Sequence, residues 1–537
     1  MSAGTRKYDD RNTPVMLFGV LVVSISAWVF AVLKTYAIPK GEFALAMGYA
    51  AIATPSDYRL WLPPLLAFTW AFCVFLVILK YNRTGFGFGD YTIKLRGPDV
   101  ASPAQLKDRC KDWFNKQLTF MGIPVPRGVE YLHFEVVGST GSGKSQVIAD
   151  YIESAQKRGD RLITVDPNGT FMSQFFQKGD VVLNPFDQRG QSWSIFNEIK
   201  TPYDVEQYSI SLIPKSPSTE QEQWNAMARK VVAETMLKLC RLKLGKTENL
   251  VYWLTIASNE ELGKMLSDTA AAGMFHGAEE TLGSVRTVLT SYVTAHKYLE
   301  DPVIGEVPFS IRDWMEKGTG NLWVTWREDM LPAQKPLIAC WVDVICACSL
   351  SSNIENAVDM HLICDELDSL EKQNLLIQAA TKGRKHKMHL FCGFQSYAQL
   401  DSTNGEKDAL TLRNSLRNSA SMGVSEKDTY TAEQIQKALG KHVVIRNKVT
   451  VSAGTMGGRG TMAQDQVEED LVLASEVHTL PDLTGYLKFS GDLPVAKITV
   501  KYKARPKVTE PLLVIQNKWT QAFNSLPAPG LFAAVKP

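Results

Sequence analysis

The sequence predicts an α/β protein with an inserted all-α domain, preceded by two transmembrane helices. Three observations predict it. Two uncharged apolar runs stand near the N-terminus. Short apolar runs ending in Gly, Asp or Gln alternate with helix-like stretches in the first and last thirds. The stretch between them, from about 191 to 308, shows helical periodicity.

The membrane runs come first. Pro14–Leu33 (PVMLFGVLVVSISAWVFAVL) and Leu60–Leu79 (LWLPPLLAFTWAFCVFLVIL) each hold twenty residues without a charge. At about 1.5 Å per residue, each spans about 30 Å, the thickness of a bilayer core. Pro63 and Pro64 sit near the start of the second run, where a helix tolerates them. A signal peptide would share the basic lead of Arg6, Lys7 and Arg11, but the first run is too long and lacks an Ala-x-Ala exit. Charge gives no clear orientation, because the loop between the runs also carries Lys34, Lys40 and Arg59. Two such runs make the chain multi-pass.

Composition sets the rest of the frame. With 45% hydrophobic residues the chain can build sizeable cores, and its net charge of +2 selects no polyanionic partner. Eight cysteines form no C-x-x-C pair, and Cys346-x-Cys348 is too tight for a zinc knuckle. They read as reduced, small apolar residues.

The chemistry centres on one loop. His133–Val137 (HFEVV) leads into Gly138-Ser139-Thr140-Gly141-Ser142-Gly143-Lys144-Ser145, which matches G-x-x-x-x-G-K-[ST], and a helical pattern follows. Glycines let backbone N–H groups close on phosphates, and the helix turns its positive end toward them. Lys144 then reaches the β- and γ-phosphates of ATP, and Ser145 ligates Mg²⁺. ATP is cytosolic, so the large C-terminal part faces the cytoplasm. A partner acid should end a second apolar strand. Met360-His-Leu-Ile-Cys-Asp365-Glu366 supplies Asp365 for the metal and Glu366 as general base. His389–Phe394 is a further buried strand ending at Gln395, read either as a γ-phosphate sensor or as an ordinary strand-end polar residue. Before it, Arg384 lies in Lys382-Gly-Arg384-Lys385-His-Lys387 and reads as an arginine finger for a neighbouring subunit or as a solvated basic turn. Arg413 and Arg417 are weaker candidates.

The loop lysine and Asp365 are about 220 residues apart, so something is inserted between them. The predicted organisation is a membrane anchor over 1–80, with helices at 14–33 and 60–79. A first nucleotide-binding part follows over 81–190, an all-α domain over 191–308 and a second nucleotide-binding part over 309–537. In the α domain Trp224, Met227, Val231, Val232, Met236, Leu239 and Leu242 form one predicted apolar face. Pro336–Leu350 reads as a buried helix and not a third span, because Asp343 interrupts it. Val449–Asp470 reads as a mobile loop. Lys497–Lys507 alternates like a strand with one cationic face.

With these residues in hand, the chain resembles the type IV coupling proteins of conjugation, the TraD/TrwB family. The resemblance rests on the loop and acid pair, and on Asn184-Pro-Phe-Asp187 with Arg189 and Trp193. It extends to Phe309–Met315, Gly393–Leu400, Gly405-Glu-Lys407, Leu480–Tyr486 and Tyr502 with Arg505-Pro-Lys507, over nearly the whole chain. It implies a RecA-like P-loop motor domain with an all-α insertion, assembling as a homo-hexamer at the bacterial inner membrane. It also implies ATP-driven handling of single-stranded DNA with its relaxase, and handover to type IV secretion channel proteins. Arg384 matches the arginine of the family's Ala-Arg-Lys segment. Asp166-Pro-Asn-Gly-Thr-Phe171 departs from the family's Asp-x-x-Gly-Glu-Phe, and Lys387-Met388 replaces a small pair. About thirty residues follow Lys507, little room for a partner-docking tail. Two other readings use the same residues: a nucleotide-gated membrane receptor for secretion substrates, and an FtsK-like DNA translocase.

Overall fold

The computed structural model describes residues 13–36, 38, 43–82, 93–276, 279–301, 308–351, 359–367, 370, 372–451 and 460–515. The basic lead at Arg6, Lys7 and Arg11 lies outside them. The chain divides into two compact units: 1–109 with 436–472 and 492–497, and 110–435 with 473–491 and 498–537.

In the first unit, helices Thr13–Thr35 and Tyr58–Asn82 fit two transmembrane helices. Val20 meets Ala71 and Phe75 between them, while Phe18, Ile25, Phe30, Leu66 and Trp70 stay exposed. Such a surface is stable against lipid and not against water. The connection was read as a loop, but it folds as a third helix, Phe43–Ala53, whose eleven residues span about 16 Å and cannot cross a bilayer. Its Ala50 packs with Val32 and Leu60, and the Trp28 indole donates to Thr54 Oγ1 at 2.9 Å. The predicted mobile loop at 449–470 is a correction. Lys441–Val451 and Gly460–Asp470 pair antiparallel in register from Lys441↔Asp470 to Val451↔Gly460, with 452–459 outside the described residues. Cross-strand charge explains what composition hid: Arg446 forks onto Glu469 (Nη2 to Oε2 2.6 Å).

The second unit is built on eight strands: β1 (Phe134–Val137), β2 (Arg161–Pro167), β3 (Val181–Leu183), β4 (Leu322–Trp326), β5 (Met360–Cys364), β6 (Met388–Phe394), β7 (Asn418–Met422) and β8 (Thr484–Lys488). Their order is β8-β7-β1-β6-β5-β2-β4-β3, parallel except for β8. The central strands are buried on both faces, which is why they read as unbroken apolar runs. This is the mixed α/β sheet of a RecA-like fold.

Between β3 and β4 the long segments are helical: Pro202–Leu212, Thr219–Arg241, Asn259–Met265 and Glu279–Val293. Capping boxes at Thr201/Asp204 and Ser258/Glu261 start two of them. The predicted stripe is only partly buried. Val231, Val232, Met236 and Leu239 are in the core, but Met227 and Leu242 are exposed, because Asn225, Ala228 and Arg229 take the inner face of the first turns.

Leu331–Ser351 is long and apolar enough to cross a membrane, yet most of it is buried inside this unit. Asp343 on it is buried and accepts from the Leu375 N–H at 3.2 Å, and burial pushes its carboxyl up to about 8. A raised folded pKa contributes stability that is present below the unfolded value near 3.9 and lost as pH rises through 8. Asp343→Asn keeps the acceptor and removes the titration. Its melting temperature relative to the parent is therefore expected to climb between pH 4 and pH 8; a difference that does not change with pH would contradict this.

The tail folds differently from its alternating pattern. Only Val495–Thr499 is strand, and 500–515 runs as an irregular strap. Lys503 and Arg505 do not form a free cationic face: they pair with Asp150 and Glu153 on the helix Lys144–Arg158. Asp187 chelates Arg189, whose guanidinium donates to Thr509 Oγ1 (2.9 Å) and the Glu510 carbonyl (3.0 Å). Gly169 has φ +61°, and a Cβ there would sit 2.5 Å from the Pro511 carbonyl oxygen.

Candidate active site

The phosphate-type loop leaves the C-terminal end of β1 and enters the helix Lys144–Arg158. Its ends are pinned by neighbouring strands. Gly138 N–H donates to the Phe394 carbonyl (3.2 Å), and Ser139 N–H to the Gly423 carbonyl (2.9 Å). Gly143 has φ +108°, and a Cβ there would lie 2.8–3.0 Å from Leu483, so the loop and the segment before β8 exclude any larger residue. Leu483 N–H in turn donates to the Ser142 carbonyl at 2.9 Å. Lys144 is buried, with Nζ 3.3 Å from the Phe394 carbonyl.

Asp365 and Glu366 follow β5 directly. Gly393 on β6 makes room for the first: a Cβ would stand 3.0 Å from Asp365 Oδ1. Glu366 holds φ +57°, a conformation uncommon for a side chain of its kind, so the turn is over-determined by its surroundings. Gln395, at the end of β6, donates to Glu366 Oε1 at 2.8 Å and receives a long contact from Thr140 Oγ1 at 3.5 Å. The Gln395 amide thus bridges the acid turn and the loop. Ser139, Thr140, Gly141, Gly143, Lys144, Ser145, Asp365 and Glu366 line one cavity of about 370 Å³, closed on another side by Asp482, Leu483 and Tyr502.

Those last three residues were not foreseen as site residues. Pro481-Asp-Leu-Thr carried no chemical motif, and only the fold brings it to the loop. Asp166 opens the segment in which the family's acid after Gly169 is missing. The structure buries it completely at the end of β2, beside β5, where its Oδ2 accepts from Met172 N–H (2.7 Å). Burial first, and then the Asp365 charge, pushes its carboxyl up to about 7.

Arg384 is not in this cavity. It is exposed on the turn Gly383–His386 before β6, and Gln395 lies after β6. Seven residues at about 3.3 Å each put roughly 20 Å of strand between them. Arg413 is used otherwise: it pairs with Asp401 at 3.3 Å and stacks on Tyr397.

A family model described as the type IV secretion-system coupling protein DNA-binding domain matches residues 117–501. The chain belongs to this family. Coupling protein TraD of Escherichia coli (strain K12) is 29% identical over 410 residues, which cover 74% of this chain. The chain spans about half the length of that relative, 56%. The bacterial conjugative coupling protein TrwBdeltaN70, in its unbound form, is 37% identical with a TM-score of 0.76, covering 81% of this chain and 99% of that one. TrwB has also been solved with ADP and Mg²⁺ (38% identity, TM-score 0.74, covering 80% of this chain and 99% of that one). A third structure, with a non-hydrolysable ATP analogue, has 37% identity and the same TM-score, covering 80% of this coupling protein and 100% of TrwB. The resemblance read from the motifs therefore holds, and so does the RecA-like fold.

Proposed function

We propose that this coupling protein is an ATPase of bacterial conjugation. It binds ATP with Mg²⁺ at Gly138–Ser145 and couples hydrolysis to delivery of relaxase-bound single-stranded DNA into a type IV secretion channel. The observation that carries the reading is the convergence of the loop, Asp365 and Glu366 on one cavity in a member of this family. The relative's structures with ADP and Mg²⁺ and with an ATP analogue support the choice of ligand.

The residues fit that ligand. Gly141 and Gly143, both at positive φ, give the loop the backbone freedom a phosphate cradle needs. Ser145 and Asp365 offer the hard oxygens that Mg²⁺ takes. When bound, Mg²⁺ neutralises charge on the transferred phosphoryl group. Lys144 brings an ammonium to the phosphates. Glu366 takes a proton from the attacking water, and Gln395 holds its carboxylate and senses the γ-phosphate through the link to Thr140. Arg384 lies too far away to serve its own site, so we assign it to the site of the next subunit in a homo-hexamer. The transmembrane helices fix this assembly in the inner membrane, with the ATPase in the cytoplasm. Single-stranded DNA is gripped through its phosphates without base readout.

Lys144→Ala tests the reading. Transfer in mating assays is expected to fall to background while capture of relaxase and single-stranded DNA persists. Transfer that survives would favour a nucleotide-independent substrate receptor.

A further inference from the structure

In the second unit, the two most exposed large hydrophobic side chains among the described residues are chain neighbours: Trp113 at 78% and Phe114 at 96%. They share one turn of the second unit, about thirty residues after the second transmembrane helix. The turn is built, not slack. Asp112 accepts from Phe114 N–H (2.9 Å) and from Asn115 Nδ2 (2.8 Å). Gln117 donates to the carbonyls of Cys110 (2.8 Å) and Val125 (2.9 Å) and accepts from Asp112 N–H (2.7 Å). Below it, Leu118 is buried, and Thr119 N–H donates to Ser154 Oγ at 3.0 Å. A fixed base therefore holds two aromatic rings out into solvent, which water alone penalises.

Cations flank the rings. The Lys111 ammonium stands 3.3 Å from the Trp113 ring centroid, and Lys116, two residues after Phe114, is exposed. Aromatic rings with neighbouring lysines are the chemistry of a lipid interface: rings enter the headgroup boundary and ammonium groups sit on phosphates. Single-stranded nucleic acid uses similar residues, but in a charged groove that tracks the backbone. Here the rings stand nearly bare on a turn, and the cavity beside it takes Lys116 and Gln117 into its lining but neither ring.

We infer that the Lys111–Lys116 turn is an interfacial anchor that seats Trp113 and Phe114 in the anionic leaflet of the bilayer crossed by the two helices. The inference rests on those helices and not on the nucleotide reading.

The test places a benzophenone-bearing amino acid at Phe114 in the full chain, reconstituted in nanodiscs of phosphatidylglycerol and phosphatidylethanolamine with single-stranded DNA present. Illumination is expected to give lipid adducts at Phe114 and none at Tyr203, an exposed aromatic in the helical insertion. Lys111→Glu with Lys116→Glu, or neutral discs, should cut the adduct on the order of tenfold. Retained nucleotide binding shows that the variants are folded. The inference is overturned by absence of a lipid adduct, by equal labelling at Tyr203, or by an adduct to DNA or a second copy in place of lipid.

Discussion

Glu366→Gln is expected to slow ATP hydrolysis by ~10²–10⁴-fold and to leave nucleotide affinity within about twofold of the parent. The substitution keeps the size of the side chain and an oxygen for the Gln395 amide, which stands 2.8 Å away. It removes only the carboxylate that can accept a proton from water. Gln is a cleaner probe than Gly or Ala because it keeps the side-chain volume and the Gln395 contact, and Gly would relax the turn that Glu366 holds at φ +57°. Phosphate release under saturating ATP, with ADP titration for affinity, reads both quantities. If hydrolysis persists, the base is another group, and Asp166, buried on the strand beside β5, is the carboxyl to examine next.

Arg384→Ala is expected to cost ~10³-fold or more in turnover of the assembled protein, the range for loss of a finger that meets developing phosphoryl charge. The strand β6 separates Arg384 from Gln395 within one chain, so the loss should follow the neighbour and not the subunit that carries the change. A mixing experiment makes this explicit. Glu366→Gln and Arg384→Ala subunits are each inactive alone. In a random equal mixture of a head-to-tail ring, about a quarter of the junctions recover an intact base and an intact arginine. Recovered turnover near a quarter of the parent value supports action between subunits. Full activity of Arg384→Ala alone, or no recovery on mixing, removes Arg384 from the mechanism.

Much of this site was legible because its residues follow strands that are apolar on both faces. His133–Val137 and Met360–Cys364 announced themselves as runs, and the Gly138–Ser145 loop and Asp365-Glu366 follow them without a gap. Residues that reach the cavity through tertiary structure alone were not legible. Leu483 and Asp482 arrive on the segment before β8, and Tyr502 on the strap: the resemblance names both stretches, but no local chemistry gives them a role at the site. Charge misled in two places. The Gly-, Ser- and Gln-rich composition of 449–470 and its acidic end suggested a loop, although that end is the cross-strand complement of the basic strand Lys441–Val451. The cations of 503–505 suggested a binding face, although Asp150 and Glu153 on the loop's own helix already hold them. Alternation in one segment says nothing of the segment that faces it.

The central claim is that nucleotide hydrolysis at Gly138–Ser145 is coupled to DNA on a membrane-anchored ring. The most direct measurement is steady-state ATP hydrolysis by the full chain in nanodiscs, with and without single-stranded DNA, across a salt titration. The account predicts strong stimulation at low salt, independent of sequence, that falls steeply between ~50 and ~200 mM salt as phosphate contacts are screened. Hydrolysis indifferent to DNA at low salt, in an assembled oligomer, would contradict it.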